Sequence, residues 1–343
     1  MDYTKDVSDI PAGQAPAGAN SASPTHPSGY VPDDGLVDAV NVALILGRPL
    51  LLTGDPGTGK TQLASSLAWQ LAARKRLNVI SAAVEKFETK STSVSRDLFY
   101  TFDAIRRFQA ARQVDGGPAG SDTQSNAPFI TFNALGRALL GAMEPDARAV
   151  RTPDGVLGAE PCRTVVLIDE IDKAPRDFPN DVLNEIDEMY FRIPELDNVT
   201  VGGQDVLRPD FKPIVVLTSN SERNLPDPFL RRCIYYHIPF PDDTRLRQIL
   251  VSRLPQFSTA RGHLVDDALA FFLKLRDGKV LSRQISPAEL IEWLTYMLKR
   301  GVEPTSRLAV AREIALAGLP ALIKDPKDVP NARNQLGTFL KSV

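Results

Sequence analysis

Apolar side chains are sparse over the first thirty residues and return from about residue 35 in two rhythms. One rhythm is the short continuous run: Leu50-Leu51-Leu52, Val165-Val166-Leu167-Ile168, Ile214-Val215-Val216-Leu217 and Ile234-Tyr235-Tyr236-His237-Ile238, with a weaker run over 79–87. The other is helical spacing, as in Leu63, Leu67 and Leu71. Continuous apolar strands alternating with helices predict a parallel sheet covered on both faces. Ligands of such sheets bind beyond the carboxyl ends of the strands. After residue 241 the strand runs stop, and helices are predicted over 243–254, 265–276, 287–300 and 307–319. Three regions follow: a tail over 1–34, an α/β core over 35–241 and a smaller all-helical domain over 242–343. The tail is rich in Pro, Ala, Ser and Gly, cannot bury enough surface to offset its ordering entropy, and is expected to be disordered. Polar stretches at 113–127 and 144–162 interrupt the core and read as insertions.

Chemistry enters where the first apolar run ends. Gly54-Asp55-Pro56-Gly57-Thr58-Gly59-Lys60-Thr61 matches G-x-x-x-x-G-K-[ST], and the helix spacing resumes just past Gln62. Strand, glycine loop and helix are the context a P-loop requires. Glycines let backbone N–H groups close on phosphate oxygens, and the helix N-terminus adds partial positive charge. In that setting Lys60 reaches the outer phosphates of a nucleotide and Thr61 holds Mg²⁺.

Three later strand ends carry polar groups. Asp169 and Glu170 follow the Val165 run; downstream of a P-loop they fit a Mg²⁺ carboxylate and a group that polarises the attacking water. Alone, such a pair equally caps a helix or meets solvent. Asn220, after Thr218 and Ser219, fits a group that orients the lytic water, or a turn residue. Arg231 and Arg232 stand just before the last strand. An arginine there can stabilise transition-state charge in a neighbour's site, or sit on a helix end as a surface pair.

In this order the four elements resemble the AAA+ ATPases. The runs Leu51-Leu52-Thr53-Gly54-Asp55-Pro56-Gly57-Thr58-Gly59-Lys60-Thr61, Leu167-Ile168-Asp169-Glu170-Ile171-Asp172-Lys173-Ala174, Thr218-Ser219-Asn220 and Leu225-Pro226-Asp227-Pro228-Phe229-Leu230-Arg231-Arg232 narrow the resemblance to the MoxR family. The resemblance implies a P-loop AAA+ core, a parallel five-stranded sheet between helices, followed by a helical lid. It implies ATP and Mg²⁺ as cofactors, Glu170 as catalytic glutamate, Asn220 as first sensor, and Arg232, with Arg231 beside it, as the trans-acting arginine. It further implies a homo-oligomeric ring, usually a hexamer, remodelling a protein client, often with a partner carrying a von Willebrand factor A domain. The family's helix insertion and hairpin fall at 90–160 and 190–212. Within the first, Leu98-Phe99-Tyr100-Thr101-Phe102 fits either ring-face contacts or core packing. One departure is visible: MoxR proteins often carry an arginine directly after Ser-Pro in the lid, whereas Ser286-Pro287 is followed here by Ala288, with Arg283 just upstream.

Composition changes little in this picture. The chain has 343 residues, 43% hydrophobic and 24% charged, with net charge −2. That balance gives no general field for nucleic acid, and no basic stripe with aromatic interleaving accompanies Arg74-Lys75-Arg76 or Arg106-Arg107. The same balance argues against a nucleic-acid motor resembling the McrB family, one alternative, but not against GTP as its nucleotide; an ATP-controlled assembly switch with slow turnover is the other alternative. Cys162 and Cys233 make no disulfide framework, and His26, His237 and His263 are scattered, so a His/Cys metal cluster is not expected. No apolar run spans a bilayer and no secretory signal opens the chain, which places the expected compartment in the cytoplasm.

Overall fold

The structure is a computed structural model; it describes residues 2–7, 10, 26–74, 83–114, 125–148, 160–220, 225–258, 263–278 and 281–342. The chain divides into two compact units. One is built from described residues within 1–17, 33–53 and 63–237; the other from those within 18–32, 54–62 and 238–343.

The first unit opens with helix α1 (Asp34–Leu46), capped by Asp33, whose carboxylate accepts the Leu36 N–H at 2.7 Å, and ended by Gly47 in the left-handed region. Strand β1 (Leu50–Thr53) follows, then α2 (Lys60–Arg74), β2 (Glu85–Glu88), β3 (Tyr100–Phe102), α3 (Ala104–Val114), β4 (Ile130–Phe132) and α4 (Ala134–Ala142). After β5 (Val165–Asp169) come α5 (Phe178–Asp181), α6 (Leu183–Glu188), β6 (Tyr190–Ile193), β7 (Val199–Gly202), β8 (Ile214–Thr218), α7 (Asp227–Leu230) and β9 (Ile234–His237). Five strands form one sheet in the order β2-β5-β8-β1-β9, and every neighbouring pair is parallel. The three inner strands are buried at every position, whereas β2 and β9 alternate between half-buried and more exposed residues, as sheet edges do. The register sets Glu88 beside Asp169 and Leu51 beside Leu217.

The weaker strand expected over 79–87 is found at Glu85–Glu88; residues 75–82 lie outside the described set. Much of the two predicted insertion loops, 115–124 and 149–159, lies outside it as well. Their flanks are ordered. β3 and β4 pair antiparallel, as do β6 and β7, the latter forming a hairpin inside 190–212. Leu98, Phe99 and Tyr100 are buried in the core of this unit, with Phe99 stacked on Phe191 at 5.0 Å, so core packing is the reading that holds for them. Gly136 of α4 lies so close to the Phe99 carbonyl that a Cβ would collide with backbone.

Disorder was the expectation for all of 1–34, but Tyr3 is only 1% exposed. Its hydroxyl meets the Ser66 hydroxyl at 3.1 Å, and its N–H donates to the Asn41 side chain at 2.7 Å. One aromatic side chain with satisfied polar ends anchors the short stretch around it, while residues 8–9 and 11–25 of the expected tail lie outside the described set.

The second unit holds α8 (Asp243–Arg253), α9 (His263–Asp277), α10 (Pro287–Lys299), α11 (Arg312–Ala317), α12 (Leu319–Leu322) and α13 (Val329–Phe339) around a core centred on Trp293, Phe271 and Phe272. The Trp293 indole N–H donates to the Ala315 carbonyl at 3.1 Å. Helix α10 begins with a capping box, Ser286 and Glu289. The single helix predicted over 307–319 is two, α11 and α12, because Gly318 ends the first and Pro320 is tolerated only in the opening turn of the second. Residues 26–32 pack in this unit: the His26 carbonyl accepts from Arg253 Nη1 at 2.8 Å, and the Gly29 carbonyl from the Ser252 hydroxyl at 3.1 Å.

Candidate functional site

The glycine loop belongs to the second unit. Gly54, Gly57 and Gly59 have φ of 140°, 77° and 92°, values that a side chain opposes. Space opposes one too: a Cβ on Gly54 would stand 2.6 Å from the Ile238 carbonyl oxygen, and Gly57 packs directly on Ser286. Inside the loop the Thr58 hydroxyl donates to the Asp55 carbonyl at 2.8 Å, and Pro56 leads the turn into Gly57. Lys60 is buried at the start of α2, and its Nζ donates to the carbonyls of Gly54 at 2.7 Å and Asp55 at 3.0 Å. The loop thus curls around its own ammonium at a helix N-terminus, an arrangement that favours anions. Thr61 stands exposed on the first turn of α2. Gln62 beside it accepts from Arg253 Nη2 at 2.6 Å.

Asp55 is held by an arginine that sequence reading passed over. Arg276, in the last turn of α9, places Nη2 3.0 Å from the Asp55 carboxylate and Nη1 2.8 Å from the Ile285 carbonyl. Its guanidinium lies 3.5 Å above the Phe240 ring, a cation–π contact. Arg283, just upstream of Ser286-Pro287, lines a small cavity with Asp325 and Asp328.

In the first unit the carboxyl ends of β5 and β8 gather a polar cluster. Thr218 donates its hydroxyl to Asp169 Oδ1 at 2.6 Å and accepts the Glu170 N–H at 2.9 Å, so one side chain fixes both acidic residues. Glu170 sits in the left-handed region, φ 56° and ψ 50°, uncommon for a residue with a Cβ and typical of functional sites. Its carboxylate is ion-paired with Lys173 and accepts from the Asn220 amide at 3.4 Å. Glu170 in turn pushes the Lys173 ammonium pKa upward. The Asn220 N–H donates to Asp172 at 3.2 Å. Asp169, Glu170 and Asn220, singled out separately in the sequence, therefore form one cluster.

Lys86, which the sequence did not single out, completes it. Its Nζ lies 3.0 Å from Asp169 Oδ2 and 2.8 Å from Glu88 Oε1. The Glu88 hydrogen bond, with a smaller contribution from Asp169, raises the Lys86 pKa. The two arginines before β9 differ. Arg232 pairs through Nε with Asp187 of α6 at 3.0 Å, whereas Arg231 is exposed, with no side-chain partner among the described residues.

A family model for the ATPase family associated with various cellular activities (AAA) matches residues 50–241. The match covers more than half of the chain, and the protein belongs to that family. A search of curated proteins gave no match. The fold is accordingly the α/β P-loop core of an AAA+ protein with a helical C-terminal region, and nucleotide hydrolysis is the general activity of the family.

The donor set suits the cofactors such a family implies. A threonine hydroxyl, as on Thr61, and a carboxylate, as on Asp169, are hard oxygen donors of the kind Mg²⁺ prefers. Among the described residues no group of three or more His, Cys, Asp or Glu could hold a metal alone. Mg²⁺ in phosphate sites needs no such cage, because one or two carboxylates and the phosphates themselves hold it. No helix among the described residues is long and apolar enough to cross a membrane.

Proposed function

We propose that the protein is a Mg²⁺-dependent ATPase of MoxR type that works as a homo-oligomeric ring, hexameric in its relatives, and couples hydrolysis to remodelling of a protein partner. The observation carrying this reading is the strand-end cluster: a hydroxyl-held Asp169 beside Glu170, with Asn220 on the Glu170 carboxylate. Lys60 and the amides of residues 54–62 bind the phosphates, and Thr61 and Asp169 hold Mg²⁺, which neutralises charge on them. Glu170 orients and polarises the attacking water, and Asn220 fixes the Glu170 carboxylate. Arg232 and Arg231 reach a neighbouring subunit's γ-phosphate and stabilise charge in the transition state, an effect of about a thousandfold or more in rate. The client and a von Willebrand factor A partner are the MoxR part of the proposal and rest on the sequence motifs.

One observation favours a second reading, an assembly switch with slow turnover. The Lys173 ammonium sits on the Glu170 carboxylate, where it competes with an attacking water for that group. ATP and GTP turnover by the wild type and Glu170→Gln, with binding of each nucleotide measured alongside, separates the readings. ATP turnover that Glu170→Gln lowers a hundredfold or more supports the motor. Tight ATP binding with negligible turnover in the wild type supports the switch, and preference for GTP or DNA-stimulated turnover would favour the McrB-like alternative.

A further inference from the structure

Asp169 does not wait as a bare carboxylate. Thr218 holds Oδ1, and the Lys86 ammonium stands 3.0 Å from Oδ2. The Asp169 side chain is 12% exposed, so an ammonium beside it supplies compensating charge that water supplies poorly there. The same ammonium touches Glu88 at 2.8 Å, and Glu88 is 70% exposed. Strand register makes this geometry: Glu88 pairs directly with Asp169, and Lys86, two residues back on β2, shares the Glu88 face. One cation thus has two carboxylate seats, one sheltered and one in solvent.

We propose that Lys86 is an internal counter-cation that neutralises Asp169 without metal and shifts to Glu88 when Mg²⁺ is bound, so that the Lys86–Glu88 pair sets the Mg²⁺ requirement of the site. The inference rests on the nucleotide reading above. The physical reason is competition: an ammonium on Oδ2 and a divalent cation on the same carboxylate repel each other, and the Mg²⁺ affinity includes the work of moving the ammonium. Glu88 reduces that work by receiving Lys86 without stripping it of a partner. Lys86 is here a positioning residue that acts on Asp169.

The test uses the full chain and ADP, with ADP affinity measured by calorimetry across a Mg²⁺ series from zero to saturating. The ratio of the affinities at its two ends is the coupling between metal and nucleotide. Lys86→Gln removes the competitor, so the Mg²⁺ concentration giving half the effect falls about fivefold or more. Glu88→Gln strands Lys86 on Asp169, so that concentration rises by a similar factor. In the double variant Glu88→Gln has no further effect, because its action runs through Lys86. A Glu88→Gln effect of equal size with and without Lys86 would show a plain surface charge and overturn the proposal. So would an unchanged Mg²⁺ dependence in Lys86→Gln. Thermal unfolding of each variant without Mg²⁺ checks folding, and Lys86→Met serves if Lys86→Gln misfolds. Failure of the wild type to bind ADP at any Mg²⁺ concentration overturns the nucleotide reading, and this inference with it; ADP binding whose Mg²⁺ dependence is the same in wild type and variants overturns the inference alone.

Discussion

Thr218 joins two acidic residues through one hydroxyl, donating to Asp169 and accepting from the Glu170 backbone. Thr218→Val keeps the shape and removes one hydrogen bond from the Asp169 carboxylate and one from the Glu170 N–H, a loss of about 1–3 kcal/mol that urea denaturation will show. Cys233 makes a second prediction. Burial is the main cause that pushes its thiol from the ordinary 9.0 up to about 12, with the nearby Asp187 adding to it. The stabilisation this represents is complete below pH 9 and is lost as pH rises from there toward about 12. At pH 8 a thiol reagent is therefore expected to react with Cys233 only as fast as the chain unfolds, and fast labelling in native buffer would contradict the burial. The sequence made Lys60, Asp169, Glu170 and Asn220 legible because each follows an apolar run or completes a glycine motif. Lys86 and Arg276 were not legible. Lys86 meets Asp169 only through the register of β2 on β5, and Arg276 meets Asp55 only once α9 has folded.

The inner strands β1, β5 and β8 could be read from composition because burial on both faces leaves only apolar choices. The edge strand β2 was obscured because Glu85-Lys86-Phe87-Glu88 carries three charges in four residues, as edges tolerate. The antiparallel pairs β3–β4 and β6–β7 are too short to announce themselves by periodicity. The close approach of α4 to Phe99 is likewise a tertiary fact, and it yields a test. Gly136→Ala forces a methyl onto the Phe99 carbonyl and is expected to destabilise by about 1–3 kcal/mol despite the better helix propensity of alanine. In the helical unit, Trp293→Ala empties the centre of the core and breaks the Ala315 hydrogen bond; about 3–5 kcal/mol is expected by denaturant melting.

At the scale of the whole molecule, the proposed mechanism depends on a second copy. If Arg231 and Arg232 act on a neighbour's nucleotide, each subunit holds part of two sites, and two inactive variants damaged in different parts can restore each other. Glu170→Gln lacks the group that polarises water but keeps its arginines. The double variant Arg231→Ala/Arg232→Ala lacks the arginines but keeps its own Glu170. Removing Arg232 also frees Asp187 from its ion pair, so the double variant is first checked for an unchanged melting temperature. The decisive measurement is ATP turnover of the two variants mixed in equal amounts, beside each alone at the same total concentration. Turnover in the mixture well above either variant alone is the predicted result, because some arginine-deficient subunits then gain a neighbour that supplies the arginine. A folded, assembled mixture as inactive as its parts would contradict a site completed across subunits.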